Sequence, residues 1–321
     1  MKKKLLSAAI PLLFCTIIFA QSDPLPSWKD DALKASIISF ITDVTTTGSP
    51  KFVPVDDRIA TFDNDGTLWC EKPLIEGLFA FFRAKQMIAK KPTLAQQQPY
   101  KAIAAGDMAY LKGMSENDLI KLVVATHSNM TQEEFEKTAQ EFYKTAKSPQ
   151  GKTMDQLVYQ PQLELLYYLR DHGFKTFICT GGDADFVRAI SKEYYGIPRE
   201  QVIGTTSKLA YKDSAGVNDL YRLPGLQSFN DKQSKPVNIQ YVIGKRPIFA
   251  CGNEGGAGDV YMLRFSQGSK YESFQMIVNH DDKEREFYYQ EKDNKSLNWA
   301  KKYNWHIVSM KDNWNNIFPT N

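Results

Sequence analysis

Disulfide chemistry is the first thing this sequence cannot supply. There are four cysteines in 321 residues, and Cys15 falls in the apolar N-terminal segment. Cys70, Cys179 and Cys251 remain, an odd number, and the last two each close a short apolar run. Small buried thiols that stay reduced because they are inaccessible are therefore expected, not a disulfide framework. Histidine is just as scarce: His127, His172, His280 and His306 are scattered, with no spacing that would build a metal site. There is no internal repeat. Nor is there an excess of charge: three of the cations behind the formal +3 are Lys2, Lys3 and Lys4, in a segment with no acid. Without that segment the chain is neutral, and a neutral chain has no general pull toward nucleic acid or membrane surfaces.

Residues 1–20 have that basic start, then an apolar run over 5–20 broken by Pro11. The pattern reads as a secretory signal peptide cut between Ala20 and Gln21. The run is short for a membrane span and is followed by Gln21-Ser22-Asp23-Pro24, not by a basic stop. A periplasmic or secreted protein with no stable membrane association is expected, an uncleaved anchor being the alternative.

What is present is a globular composition: 42% hydrophobic, 24% charged and 12% aromatic residues. That suffices for one sizeable domain with an insertion or for two small domains. Apolar, strand-length runs occur at 58–62, 175–179, 201–205, 246–251, 274–278 and 305–310, and residues 208–223 alternate as a hairpin around 213–216. Helical spacing occupies 30–43, 162–170, 184–195, 235–243, 260–265 and a charged segment over 291–302. Strands alternating with helices predict an α/β fold with a doubly wound, mostly parallel sheet. Residues 73–148 interrupt that alternation with helix upon helix, including a capping box at Thr131–Glu134. They are expected to form an inserted helical cap, leaving 21–72 and 149–321 as the core domain. Phe79, Phe81 and Phe82 are expected in the cap's own core, and the charge run 281–286 as a solvated helix face.

Ligands of such sheets sit beyond the carboxyl ends of the strands. Three strands here end in unusual loops. The first carries Asp63-Asn64-Asp65-Gly66-Thr67-Leu68, two carboxylates two residues apart. Converging on one point, they would repel each other unless a cation or proton offset them. The second is Thr180-Gly181-Gly182-Asp183, whose hydroxyl and amides, at a helix start, would offer donors to phosphate oxygens. The third is the loop 252–259, with Asn253, Glu254 and Asp259. Oxygen donors without His or Cys suit Mg2+. Lys235 opens the helix that feeds this loop, with Lys245 as the alternative cation.

In this order the motifs resemble the haloacid dehalogenase-like superfamily, in its phosphoserine-phosphatase-like branch, from about residue 58 to 265. The resemblance implies a Mg2+-dependent phosphatase acting on a small phosphorylated substrate. Asp63 would be the nucleophile that becomes an aspartyl phosphate, and Asp65 the acid and base. Thr180, Gly181 and Lys235 would hold the phosphoryl oxygens. Asp63, the Asp65 carbonyl and Asp259 would hold the metal, with Glu254 as the next choice and Asn253 as a neutral ligand. The last loop departs from the family's Gly-Asp-x-x-x-Asp pattern by reading Gly252-Asn253-Glu254. That departure keeps open a binding protein without catalysis, and a phosphotransferase or phosphomutase is a third reading. Trp69 and Glu71 point toward the cap as substrate contacts or hinge packing, and Asp183 reads as a helix N-cap.

Overall fold

The apolar runs become strands because their side chains can be buried on both faces of one sheet. The computed structural model describes residues 23–214, 216–255 and 258–320, so the segment expected to be a leader and residues 256 and 257 of the glycine-rich loop lie outside the described residues. The strands are β1 Ile59–Phe62, β2 Met130–Thr131, β3 Lys175–Asp183, β4 Val202–Ser214, β5 Val217–Ser228, β6 Phe249–Asn253, β7 Phe274–Asn279 and β8 His306–Ser309. They form one sheet in the order β2-β5-β4-β3-β1-β6-β7-β8. All pairings from β4 to β8 are parallel, and only the β4/β5 hairpin and β2 run antiparallel. The α/β, doubly wound, mostly parallel architecture expected from the sequence is therefore present.

Alternation sorts the strand residues into two cores. Ala60, Phe62, Ile178, Phe249, Cys251, Met276 and Val278 pack on one face, and Ile59, Phe177, Cys179, Ala250 and Ile277 on the other. The first face is covered partly by the helix Ala32–Thr45, whose N-cap Asp31 accepts from the amides of Leu33 and Lys34. Its Phe40 meets Phe249 and Phe274 in a ring cluster that continues to Phe62. All three remaining cysteines are buried and free.

Three local expectations need correction. The second strand runs on through Asp183, because residues 180–183 extend beside β4, so the glycines are strand and not a helix start. Expected strand 201–205 and hairpin 208–223 merge into one long arm, bent by register shifts at Thr206, Ser207 and Leu209. The charge run 281–286 is a loop and not a helix. Asp282 accepts from the amides of Glu284 and Arg285, while Arg285 satisfies the carbonyls of Met310, Trp314 and Asn315. Arg285 thus pairs backbone groups of the C-terminal segment while Lys283, Glu284 and Arg285 stay exposed and Asp282 is buried. The helix beyond is Lys295–Tyr303.

The block 73–148 contains helices Ile75–Lys90, Tyr100–Ala105, Met108–Lys112, Glu116–Thr126 and Gln132–Thr145, the last with its Thr131–Glu134 capping box formed. It also holds β2, which pairs with β5. Ala80, Ala84, Ile103 and Leu122 form a small core of their own, with Phe81 packed against it. Phe79 and Phe142, by contrast, join the main core against Phe186. Arg222 on β5 ties the block to the sheet. Fully buried, it donates to the His127 carbonyl at 2.7 Å, Gln132 at 3.0 Å, Asp185 at 2.8 Å and Ser207 at 2.6 Å, and pairs with Asp183. Its guanidinium also lies 3.7 Å from the Phe135 ring centroid. Removing one partner of a buried pair leaves the other charge uncompensated. Arg222→Met is therefore expected to cost about 3–5 kcal/mol in urea unfolding; a loss below about 1 kcal/mol, the range of exposed pairs, would contradict this account.

Candidate active site

Strand order reverses at β1, which has β3 on one side and β6 on the other. Beyond their carboxyl ends lies a pocket of about 490 Å³, lined by Asp63, Asp65, Glu71, Glu76, Gly181, Gly182, Lys235, Asn253 and Asp259 among others. Asp63 continues the ladder one step past β1, its amide donating to the Cys251 carbonyl at 2.9 Å. Lys235, on the first turn of the helix Ser234–Ile243, reaches across the sheet's end. Its Nζ lies 2.6 Å from Asp63 Oδ1, 2.5 Å from Asp259 Oδ1 and 2.8 Å from the Cys179 carbonyl. Burial works against this ammonium, but the Asp259 and Asp63 carboxylates outweigh it and hold its pKa above lysine's ordinary value. Burial, and then the Asp259 charge, push the Asp63 carboxyl upward against the pull of Lys235. Lys245, the alternative cation, instead bonds Asp57 Oδ1 at 2.7 Å on the surface.

Gly66 turns the chain with φ +74°, a conformation glycine adopts without strain. The turn is closed by the Thr67 and Leu68 amides on the Asn64 carbonyl and by Gly66 N–H on the Trp69 carbonyl. Trp69 is buried, and its indole N–H donates to Asp65 Oδ1 at 2.9 Å, so this side chain orients Asp65. Burial raises the Asp65 pKa, partly offset by that bond. Thr180 is fully buried and sits behind the pocket wall that Gly181 and Gly182 line; its Oγ1 accepts the Gly182 amide at 3.0 Å, and its own proton can still donate. Asp183 is the N-cap of the helix Ala184–Arg188 as well as the partner of Arg222.

The glycine-rich loop divides by strand alternation. Asn253, at the end of β6, faces the pocket, and its Nδ2 donates to Glu71 Oε2 and the Tyr289 hydroxyl, both at 3.2 Å. Glu254 follows with its amide on the Val278 carbonyl, and its carboxylate takes the Glu291 amide. Successive residues of an extended chain point to opposite sides, so Asn253 and not Glu254 accompanies Asp259 at the pocket. Asp259 Oδ2 accepts the Asn253 amide at 2.9 Å. A Cβ at Gly252 would collide with Asp259, which is why the loop can close this tightly only with glycine there.

These residues fit the Mg2+ that the resemblance implies. The donors are all oxygens, and the carboxyls Asp63, Asp65, Glu71, Glu76, Asp231 and Asp259 face only Lys232 and Lys235 among the pocket's cations. Among the described residues no three His, Cys, Asp or Glu side chains form a ready-made cage. Mg2+ commonly takes one or two carboxylates and completes its shell with water and substrate oxygens. Asp63, Asp259 and Asn253, with the Asp65 carbonyl, could hold it.

Sequence reasoning missed Asp231, Lys232 and Glu76 in the pocket; the last was missed because a Glu in the first turn of a helix ordinarily reads as a partner for the helix dipole. It accepts the Asp183 amide at 3.2 Å, and its Oε1 lies 3.6 Å from His127 Nε2. Thr126 Oγ1 donates to the Leu122 carbonyl and so accepts from His127 Nδ1, 3.1 Å away, leaving Nε2 bare toward Glu76. Burial, and then Arg222, push His127 down to about 3. Burial, and then the Asp183 and Asp65 charges, push Glu76 up to about 8. Between pH 4.5 and 8 the folded chain thus keeps a proton that the unfolded chain releases. The resulting stabilisation is whole below pH 4.5 and is lost as pH rises through about 8. In Glu76→Gln the fall in Tm across that window should be shallower than in the parent protein; parallel Tm curves would refute the assignment.

The family model of haloacid dehalogenase-like hydrolases matches residues 60–263, well over half of the chain. No curated protein matches it. Among solved structures, a conserved functionally unknown protein from Anaerococcus prevotii overlaps with a TM-score of 0.57 at 14% identity, covering 86% of this chain and 91% of that one. A protein with unknown function from Bordetella pertussis gives 0.50 at 15% identity, covering 78% and 97%. A phosphoserine phosphohydrolase-like protein from Francisella tularensis gives 0.42 at 17% identity, covering 80% and 95%. The span of the family match, on a sheet whose first strand leads straight into Asp63 and Asp65, makes this chain a member of the haloacid dehalogenase-like hydrolase family.

Proposed function

We propose that this hydrolase is an exported, Mg2+-dependent phosphatase of the phosphoserine-phosphatase-like branch, acting on a small phosphomonoester through an aspartyl-phosphate intermediate. The observation that carries the reading is the Lys235 ammonium between Asp63 and Asp259, with Asp65 two residues past the nucleophile. Asp63 attacks phosphorus, and the bond to the leaving oxygen breaks as Asp65 protonates it. Asp65 then takes a proton from the water that attacks the acyl phosphate, which releases phosphate and restores Asp63. Lys235, the Thr180 hydroxyl and the Gly181 backbone hold the phosphoryl oxygens in place. Bound Mg2+ would neutralise charge on the transferred group.

A pocket of about 490 Å³ favours a small substrate over a polymer, and the neutral chain gives no support for nucleic acid as a partner. The 73–148 block borders this pocket through Leu74 and Glu76, at the start of its first helix, which supports reading the block as a cap. Export rests on the leader over residues 1–20; among the described residues no helix is long and apolar enough to cross a membrane.

With a generic aryl phosphate, phosphate release should require Mg2+, stop on adding chelator, and fall at least about 1,000-fold in Asp63→Asn, the order seen when a nucleophile is removed. Undiminished turnover in Asp63→Asn would sink the mechanism. Ligand binding without phosphate release across a panel of small phosphomonoesters would favour a non-catalytic binding protein. Transfer of phosphate to an acceptor other than water would favour a phosphotransferase. Mass spectrometry of the protein recovered from the exporting cell should place the mature N-terminus at Gln21; an intact Met1 end would count against cleavage.

A further inference from the structure

The loop that leaves β7 touches both acid-bearing turns of the pocket. His280, fully buried, lies one residue past β7, and its Nε2 is 2.9 Å from the Gly66 carbonyl. A carbonyl accepts only, so Nε2 carries the hydrogen. The other ring nitrogen faces Glu286 Oε2 at 3.3 Å, and Glu286 Oε1 in turn accepts the Tyr159 hydroxyl at 3.1 Å. The imidazole stacks on Tyr289 with centroids 4.2 Å apart and planes 19° from parallel. The Tyr289 hydroxyl meets Asn253 at 3.2 Å, and the Glu291 amide binds Glu254. A Cβ at Gly66 would run into both the Asn253 amide and the Tyr289 hydroxyl, so the two turns and this loop interlock at one point.

We propose that residues 280–291 form a clamp fixing the Asp63–Asp65 turn against the Asn253–Asp259 loop, and that His280 is its positioning residue. The Gly66 carbonyl belongs to the peptide one step beyond Asp65. Anchoring it from the loop that follows β7 holds that plane, and with it the carboxylates of Asp63 and Asp65. The turn's own bonds, from Thr67 and Leu68 to Asn64, are local and do not set its distance from β6. Glu286 and Tyr159 keep the ring from rotating, and Tyr289 carries the same constraint to Asn253. A catalytic consequence rests on the phosphatase reading above, because it needs Asp63 and Asp65 to be the reacting groups. The mechanical part does not.

The test uses the mature full-length chain with p-nitrophenyl phosphate and Mg2+, and hydrogen–deuterium exchange of the peptide over residues 63–70. A glutamine amide can donate from near the position of Nε2, whereas phenylalanine keeps bulk and loses the donor. His280→Phe should lower kcat about 100-fold with KM little changed, the order expected for a displacement of about 1 Å at the reacting groups. His280→Gln should recover kcat to within about threefold. Exchange across 63–70 should accelerate in the Phe variant and not in the Gln variant. Loss of kcat equal in both variants, or exchange across 63–70 unchanged in His280→Phe, overturns the proposal. If the parent protein releases no phosphate, the phosphatase reading fails and the exchange result alone decides the clamp. If His280→Phe does not fold, Tyr289→Phe decides: faster exchange at 63–70 and at Asn253 supports the clamp, and unchanged exchange overturns it.

Discussion

One buried ammonium holds the site together. Lys235 brings its charge to a point where Asp63, Asp259 and the Cys179 carbonyl converge, the first two from the chain just beyond β1 and β6 and the third from within β3. A lysine so deeply buried is costly unless paired, and two carboxylates so close together repel unless a cation lies between them. Each cost offsets the other. The arrangement therefore depends on three neighbouring strands arriving together, which requires β1 to sit between β3 and β6 in parallel register. The crossover topology is what makes the charge cluster affordable in free energy.

Around that point the architecture layers two further polar devices. On the β3 side, Arg222 reaches from the hairpin to Asp183 and the His127 carbonyl, joining the helical block to the rim of the pocket. On the β7 side, His280 reaches the Gly66 carbonyl of the Asp63–Asp65 turn. Both are fully buried, and both engage backbone carbonyls as well as carboxylates. Polar groups of this kind demand a particular geometry in a way that apolar packing does not, because an unmade buried hydrogen bond carries its full desolvation penalty. The site is thus held by directional bonds on two sides and by the aromatic core beneath β1, where Phe62, Phe249 and Phe274 stack.

Much of this was legible in the amino-acid order. The two faces of the sheet follow from alternation within short runs such as 59–62 and 249–253, and the Gly66 turn follows from the local Asn64-Asp65-Gly66 chemistry. Lys235 was preferred over Lys245 because it opens a helix, and the fold does carry it to Asp63. Local reasoning failed where a neighbour distant in sequence sets the outcome. β3 runs through the glycines because β4 is there to pair with them, and the 281–286 run stays unwound because carbonyls some 25–30 residues further on need donors.

The sequence by itself determined which apolar runs become the central parallel strands, the spacing of Asp63 and Asp65, and the family, since each is written in a contiguous stretch whose physics is local. Only tertiary structure decided between Asn253 and Glu254, because the choice depends on which side of β6 faces the pocket. Only tertiary structure raised Glu76 from an ordinary helix-start residue to a half-buried pocket acid, since desolvation and the neighbouring Asp183 charge push its pKa up. His280 is the clearest case: 214 positions separate it from the Gly66 carbonyl it holds, and nothing along the chain marks a contact that exists only once β7 has been placed beside β6.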